Sequence, residues 1–172
     1  MTQAFNDVDP EILRLAMRRW ATGVTIVSSF WQGVRHGMTA SSFTSVSLLP
    51  PLVLVSIEHT TRTHGLIQAS AVFGVTILAE HQQAVSDLFA GRESEENDRF
   101  AGCEVYTLET GAPLLADGLA GFDCRVVAHH VAGNHTIFIG EVVACRITVE
   151  ENPRPLIYFN RGYHELGQPG RV

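Results

Sequence analysis

The chain has 172 residues, a formal net charge of −6, and 12 cationic side chains, all of them arginine, against 18 acidic ones. Without lysine there is no lysine Schiff base and no phosphate-loop lysine, so bound phosphate must rest on arginine, hydroxyls or backbone N–H groups. The acidic balance argues against general nucleic-acid binding, which draws its affinity from clustered cations.

One domain of this length buries about 70% of the surface its unfolded chain exposes and needs no disulfide staple. Cys103, Cys124 and Cys145 are odd in number and widely spaced, and read as buried or half-buried thiols. The start MTQAFNDVDP lacks the apolar stretch of an export signal, and apolar runs such as 50–56 are too short to span a bilayer. A soluble cytoplasmic protein is expected, with neither membrane nor nucleic acid as partner.

Asp9-Pro10 predicts a helix start, an oxygen acceptor at the cap and proline in the first turn. Leu13, Ala16, Met17 and Trp20 then share a face, with Arg14, Arg18 and Arg19 outside it, which reads as an amphipathic lid or support helix. From Gly23 the period becomes that of strands: 23–30, a turn at Trp31-Gln32-Gly33, and one long hydroxyl-rich strand over 34–48. After Pro50-Pro51, the run LVLVSIE predicts a strand buried on both faces. Thr60 to His64 opens a second helix, followed by the strand VFGVTILAE and a short helix through Val85, Leu88 and Phe89 that Gly91 can end. Glu93 to Asp98 reads as solvated surface. DCRVVAHHV and HTIFIGEVVACRITV form a long hairpin across Ala132-Gly133-Asn134, and PRPLIYFNRGYHEL supplies a last strand. Residues 1–9 read as an arm, 10–165 as the domain, and 166–172 as a frayed tail. Six or seven strands and three helices, without βαβ alternation, speak for a closed or nearly closed antiparallel barrel.

The motifs of acyl transfer, Rossmann binding, zinc hydrolysis and dithiol exchange are all absent from the sequence. His129 and His130 point to opposite faces of a strand, and no carboxylate joins His135 at ligand spacing, so no metal is expected. What remains is hydrogen-bonding capacity. Alternation would put Thr39, Ser41 and Phe43 on one face and Met38, Ala40, Ser42 and Thr44 on the other. Such a strand either pairs its hydroxyls across the sheet or, with Gly37 and Ala40 admitting a planar molecule close to the backbone, lines a ligand. Likewise Thr60 to His64 is either an ordinary N-cap or, with Arg62, an anion site.

The segments RWATGVTIVSS, HGMTASSFTSVSLLPPLVLVSI, TTRTHGLI, FGVTIL, DRFAG, GNHTIFIGEV and the final Arg-Gly-Tyr resemble the short-chain flavin reductase family, the reductase components of two-component flavin-dependent monooxygenases. The resemblance spans roughly 10–165 and implies a mainly β split barrel, a homodimer, that uses NADH or NADPH to reduce FMN or FAD for a separate oxygenase. It implies that Met38, Thr39, Ala40, Ser41 and Ser42 line the isoalloxazine. Ser47 joins that cofactor-binding set, and Ser56, Thr61, Arg62 and Thr63 surround the flavin phosphate. His135 would position the nicotinamide, with Arg161 and Tyr163 nearby, and Arg99 and Phe100 would touch the dinucleotide or the adenosine of FAD. Thr76 stands where the family more often has asparagine. A flavin- or haem-binding split barrel without turnover is the alternative, since one fold hosts several functions. A pyridoxamine-phosphate oxidase type would need a more cationic phosphate pocket.

Overall fold

The Asp9 carboxylate accepts from the Ile12 N–H at 2.9 Å and starts α1 (Pro10–Met17) as the sequence predicts. In the computed structural model, which describes residues 8–91, 98–149 and 152–167, five strands follow. They are β1 (Thr22–Gly23), β2 (Thr25–Trp31), β3 (Val34–Ala40), β4 (Phe43–Leu48) and β5 (Pro51–Glu58). Next come α2 (Arg62–Ser70), β6 (Val72–Ile77), α3 (Gln83–Phe89) and the short strands β7 (Val105–Tyr106) and β8 (Leu114–Leu115). The long hairpin of β9 (Ala120–Ala132) and β10 (His135–Ile147) precedes β11 (Ile157–Phe159) and β12 (Gly162–His164). Among the described residues no helix is long and apolar enough to cross a membrane.

Seven strands form one antiparallel sheet in the order β3-β2-β6-β9-β10-β5-β4. Its two edge strands, β3 and β4, are neighbours in the chain with only Ser41 and Ser42 between them. The sheet must therefore curl until its edges share a corner, yet these edges make no ladder with each other among the described residues. This is a split barrel, mainly β, as expected. It also corrects one element: 34–48 is two strands on opposite edges of the sheet, so the alternation expected through Ser41 breaks there.

Inside the barrel Val27, Val53, Val55, Ile57, Phe73, Val75 and Phe138 pack with Ile67 of α2. Outside β2 a second cluster joins Val24, Ile26 and Leu78 to Phe89 of α3 and to Phe100. β2 is thus covered on both faces, with Ile26 and Val27 facing different clusters. Full burial of such side chains stabilises the fold by about 1.5–3 kcal/mol each.

β5 does not match its expectation of burial on both faces. Val53, Val55 and Ile57 are buried, while Leu52, Leu54 and Ser56 on the other face are only half-buried, because nothing in one chain covers that side. α1 differs in the same direction: none of its residues is buried, and Leu13, Met17 and the following Trp20 stay 54%, 56% and 67% exposed. Of the thiols, Cys124 is buried and pushed up to about 12 by desolvation, Cys103 is half-buried, and Cys145 is exposed against expectation. The acidic stretch 93–97 and the tail beyond Gly167 lie outside the described residues, while Asp98 pairs with Arg35.

Candidate functional site

The corner between β3 and β4 gives each residue from Met38 to Ser42 a separate job. Met38 packs on the barrel core, and the Thr39 hydroxyl donates to the Ser86 carbonyl at 2.6 Å. Ala40 is itself in the core, and its carbonyl accepts from the Thr25 hydroxyl at 2.8 Å. Ser42 donates to the Ser56 carbonyl at 2.7 Å, while Ser56 N–H donates to the Ser42 carbonyl at 3.2 Å, which stitches β4 to β5. Ser41 is the exposed member of the five. It opens on two adjoining cavities, of about 560 and 360 Å³, that share Trp20, Thr22 and Ser41 among their walls.

Gly37 does not admit a planar ligand. A Cβ there would lie 2.9 Å from Phe89 Cε1 and 3.0 Å from Phe100 Cζ, so the missing side chain makes room for two core rings. Ser47 is not brought to the corner either. Its hydroxyl accepts from the Leu49 N–H at 3.2 Å in the turn before β5, and five strand residues put it roughly 17 Å from Ser42.

At the start of α2, Thr61 is the cap: its hydroxyl accepts from the His64 N–H at 3.2 Å and donates to the Glu58 carbonyl at 2.8 Å. Thr63 is fully buried, its hydroxyl 2.8 Å from His36 Nδ1, so its side chain serves the core. Arg62 is exposed and borders a cleft of about 320 Å³ with Arg35, His36, Asp98 and Arg99. The Arg35 guanidinium donates to Asp98 from Nε at 3.1 Å and from Nη2 at 2.6 Å, and this pairing holds the carboxyl below its ordinary range. Arg99 lines the cleft, but its Nη1 donates to the carbonyls of Gly37 at 3.2 Å and Phe89 at 3.1 Å. Phe100, 2% exposed, stacks edge-on against Phe89 in the core and offers a ligand no face within one chain.

His135 begins β10 opposite Glu58, at the α2 end of the barrel. Its Nδ1 lies 2.8 Å from Asn134 Oδ1, and Asn134 Nδ2 donates to Glu58 at 3.2 Å. Behind it, His59 and His64 both direct Nε2 at the Thr136 hydroxyl, at 3.1 and 2.9 Å. Burial, and secondarily the neighbouring His59, lower the pKa of His64.

Tyr163 joins the C-terminal hairpin to α3, its hydroxyl 2.8 Å from Ser86 Oγ and 3.1 Å from Asp87 Oδ1. Arg161 stands in the tight turn before it, with φ +67° after Asn160 at +48°, and lines the larger cavity. Residues expected beside the nicotinamide therefore occupy three places in one chain: the β3 face, the β10 tip and the terminal hairpin. Thr76, in place of the more usual asparagine, still makes a hydrogen bond, accepting from the Leu115 N–H at 3.1 Å.

Sequence reasoning missed much of the larger cavity's wall. Arg14 and Arg18 read as lying outside α1's apolar face and Trp20 as part of that face, while Thr22 and Tyr158 carry no expected role. The spacing of Arg14 and Arg18, one turn apart and just ahead of the Trp-Ala-Thr-Gly segment, is the signal that points there.

Residues 17–167 match the flavin reductase like domain. The chain belongs to the flavin reductase-like family. Within it, an NADH-dependent flavin reductase of a Rhodococcus species is 39% identical, the match covering 99% of this chain and 97% of that protein. Two solved structures of the family share its fold. Flavin reductase PheA2 superposes with a TM-score of 0.84 at 41% identity, covering 94% of this chain and 100% of its own. The styrene monooxygenase flavin reductase of Pseudomonas putida S12 gives 0.80 at 37% identity, with 91% and 98% covered.

The residues of this family member fit a flavin. Paired cavities meeting at an exposed hydroxyl and flanked by Trp20 and Phe43 suit a flat ring with polar edges. The helix start at Thr61 and Arg62 suits a phosphate.

Proposed function

We propose that the protein is an NADH-dependent flavin reductase that reduces FMN or FAD and passes the reduced flavin to a separate monooxygenase component. The observation that carries this reading is Ser41 opening at once on two adjoining cavities, room for two ring systems side by side at the corner of the split barrel. The bound flavin supplies the chemistry, accepting a hydride from the nicotinamide.

The chain supplies geometry. Thr39 and Ser42, tied to Ser86 and Ser56, hold the corner rigid so that backbone groups and the Ser41 hydroxyl can orient the ring. Backbone N–H groups aimed at a ring edge that gains negative charge stabilise the reduced state without an acid or base residue. First-turn N–H groups of α2 and the exposed Arg62 bind the flavin phosphate, the guanidinium as a planar fork. His135 positions the nicotinamide donor and transfers no proton.

We also propose that the working unit is a homodimer. Within one chain His135 and Arg161 stand apart, whereas a two-fold partner could bring one chain's His135 to the other's corner. The uncovered outer face of β5, and Leu48 and Leu49 at 88% and 92% exposure, support this.

Purified protein mixed with NADH and with FMN, FAD or riboflavin in turn should oxidise the nicotinamide, followed by its absorbance. No oxidation with any flavin, despite measurable flavin binding, would instead favour a flavin carrier.

A further inference from the structure

The turn that leads into β10 holds the His135 ring through a carboxylate two bonds away. His135 stands directly opposite Glu58, the last residue of β5, so the two side chains share one face of the sheet. The backbone on either side is fixed. The Glu58 carbonyl accepts from the Thr61 N–H at 3.1 Å and from the Thr61 hydroxyl at 2.8 Å, and the Asn134 carbonyl accepts from the His59 N–H at 3.0 Å. Between these anchors the Asn134 side-chain amide bridges the Glu58 carboxylate, at 3.2 Å, and His135 Nδ1, at 2.8 Å.

The chemistry of these three groups permits one arrangement of protons. A carboxylate only accepts, so it takes the amide nitrogen of Asn134 as its donor. The amide oxygen is then the atom that faces His135, and an oxygen there requires Nδ1 to carry the hydrogen. In the neutral ring the other nitrogen, Nε2, is left as an acceptor, and among the described residues it has no partner. We propose that Glu58 is a positioning residue: through Asn134 it locks the His135 ring in the Nδ1–H tautomer, so that Nε2 offers an acceptor to the bound hydride donor. The proposal rests on the flavin reductase reading for the identity of that ligand. A nicotinamide answers an acceptor with its carboxamide N–H2, whereas a group that only accepts would meet a lone pair. Because the Glu58 carbonyl also receives the Thr61 hydroxyl, one residue ties the His135 ring to the cap of α2.

Nitrogen-15 NMR of the labelled protein at about pH 8.5, where ordinary histidines are neutral, reads the tautomer directly, with the His135 signals identified by their loss in His135→Gln. The wild type should show the Nδ1–H form. Glu58→Ala and Asn134→Ala should move the ring toward the Nε2–H form, while Glu58→Gln, which keeps an acceptor oxygen, should hold the wild-type form. Asn134 lies outside the left-handed backbone region, so alanine is admitted there, and thermal melts check that each variant folds. With FMN as acceptor, the two alanine variants should raise the KM for NADH about fivefold with kcat changed less than about twofold, and Glu58→Gln should restore it. As competitive inhibitors, NAD⁺ should bind the wild type more tightly than its 3-acetylpyridine analogue, which keeps the carbonyl but lacks the NH2, and Asn134→Ala should abolish that preference. An Nε2–H ring in the wild type, or a tautomer unchanged in Glu58→Ala, overturns the role of Glu58. A tautomer that shifts while the preference between the two inhibitors persists overturns the acceptor role of Nε2. Because the NMR needs no turnover, failure of the reductase reading would show separately, as the expected tautomers without nicotinamide oxidation.

Discussion

Ser41 and His135 illustrate how much a single residue's role depends on its neighbours. The residues flanking Ser41 spend their hydroxyls or carbonyls on Ser86, Thr25 and Ser56, which leaves Ser41 facing the cavities. Among the described residues the His135 ring bonds to the adjacent Asn134 side chain alone and stays half-buried, so it has an edge left for a ligand. Steady-state kinetics of His135→Ala should show a KM for NADH raised about tenfold, the loss of roughly 1.4 kcal/mol of binding, with little change in flavin affinity. The reverse pattern would remove His135 from the donor side. A cap at Thr60 or Thr61 and a hydroxyl-rich segment around Thr39 to Ser42 are legible in the sequence, because capping and hydrogen-bonding chemistry belong to the residue type. The internal duties of Thr63, Arg99 and Phe100 were not, because their partners, His36, Gly37 and Phe89, come from other elements.

Among the elements, β10 packs closely against the barrel core at Gly140. An added Cβ at Gly140 would meet Phe73 Cζ at 2.5 Å and Cys124 Cβ at 2.9 Å, beside one of the two register shifts of the β9–β10 hairpin. Gly140→Ala should cost about 1–3 kcal/mol by overpacking, read as a lower urea midpoint at unchanged slope. Gly65 in α2 has nothing within 4 Å of its added Cβ, so Gly65→Ala should be neutral or stabilise by up to about 1 kcal/mol. α2 also ties the barrel to pH. The folded state lowers the His64 pKa from 6.5, so it favours the neutral imidazole. This contribution to stability is complete above the unfolded value and is lost as pH falls through the folded one. The melting temperature should drop as pH falls below the ordinary histidine value of 6.5, and His64→Gln should flatten that part of the profile. An unchanged slope would remove His64 as the source of the sensitivity.

For the whole molecule, the apolar surface left uncovered by one chain sets the expected assembly. Leu48 at the end of β4 and Leu49 in the turn after it project outward, and the β5 face and α1 lie open. Light scattering should give about twice the 18.8 kDa chain mass. Leu49→Glu should shift the protein to the monomer and weaken flavin binding, since a charge buried at an apolar contact is strongly disfavoured. A monomeric wild-type protein with full activity would dismiss the dimer.

What the sequence alone determined is local: the Asp9-Pro10 and Thr61 helix starts, the period-two strands, the long hairpin across Gly133, and the hydroxyl-rich segment whose wording resembles one family. These follow from dihedral preference, alternation and capping, which act over a few residues. Only the tertiary structure decided that 34–48 splits at Ser41 into opposite sheet edges, that Gly37 makes room for two phenylalanines, and that Arg18 and Arg161 line one cavity. A local pattern states which face of an element is apolar or charged. What covers that face is set by elements distant in the chain, through packing and the curl of the sheet.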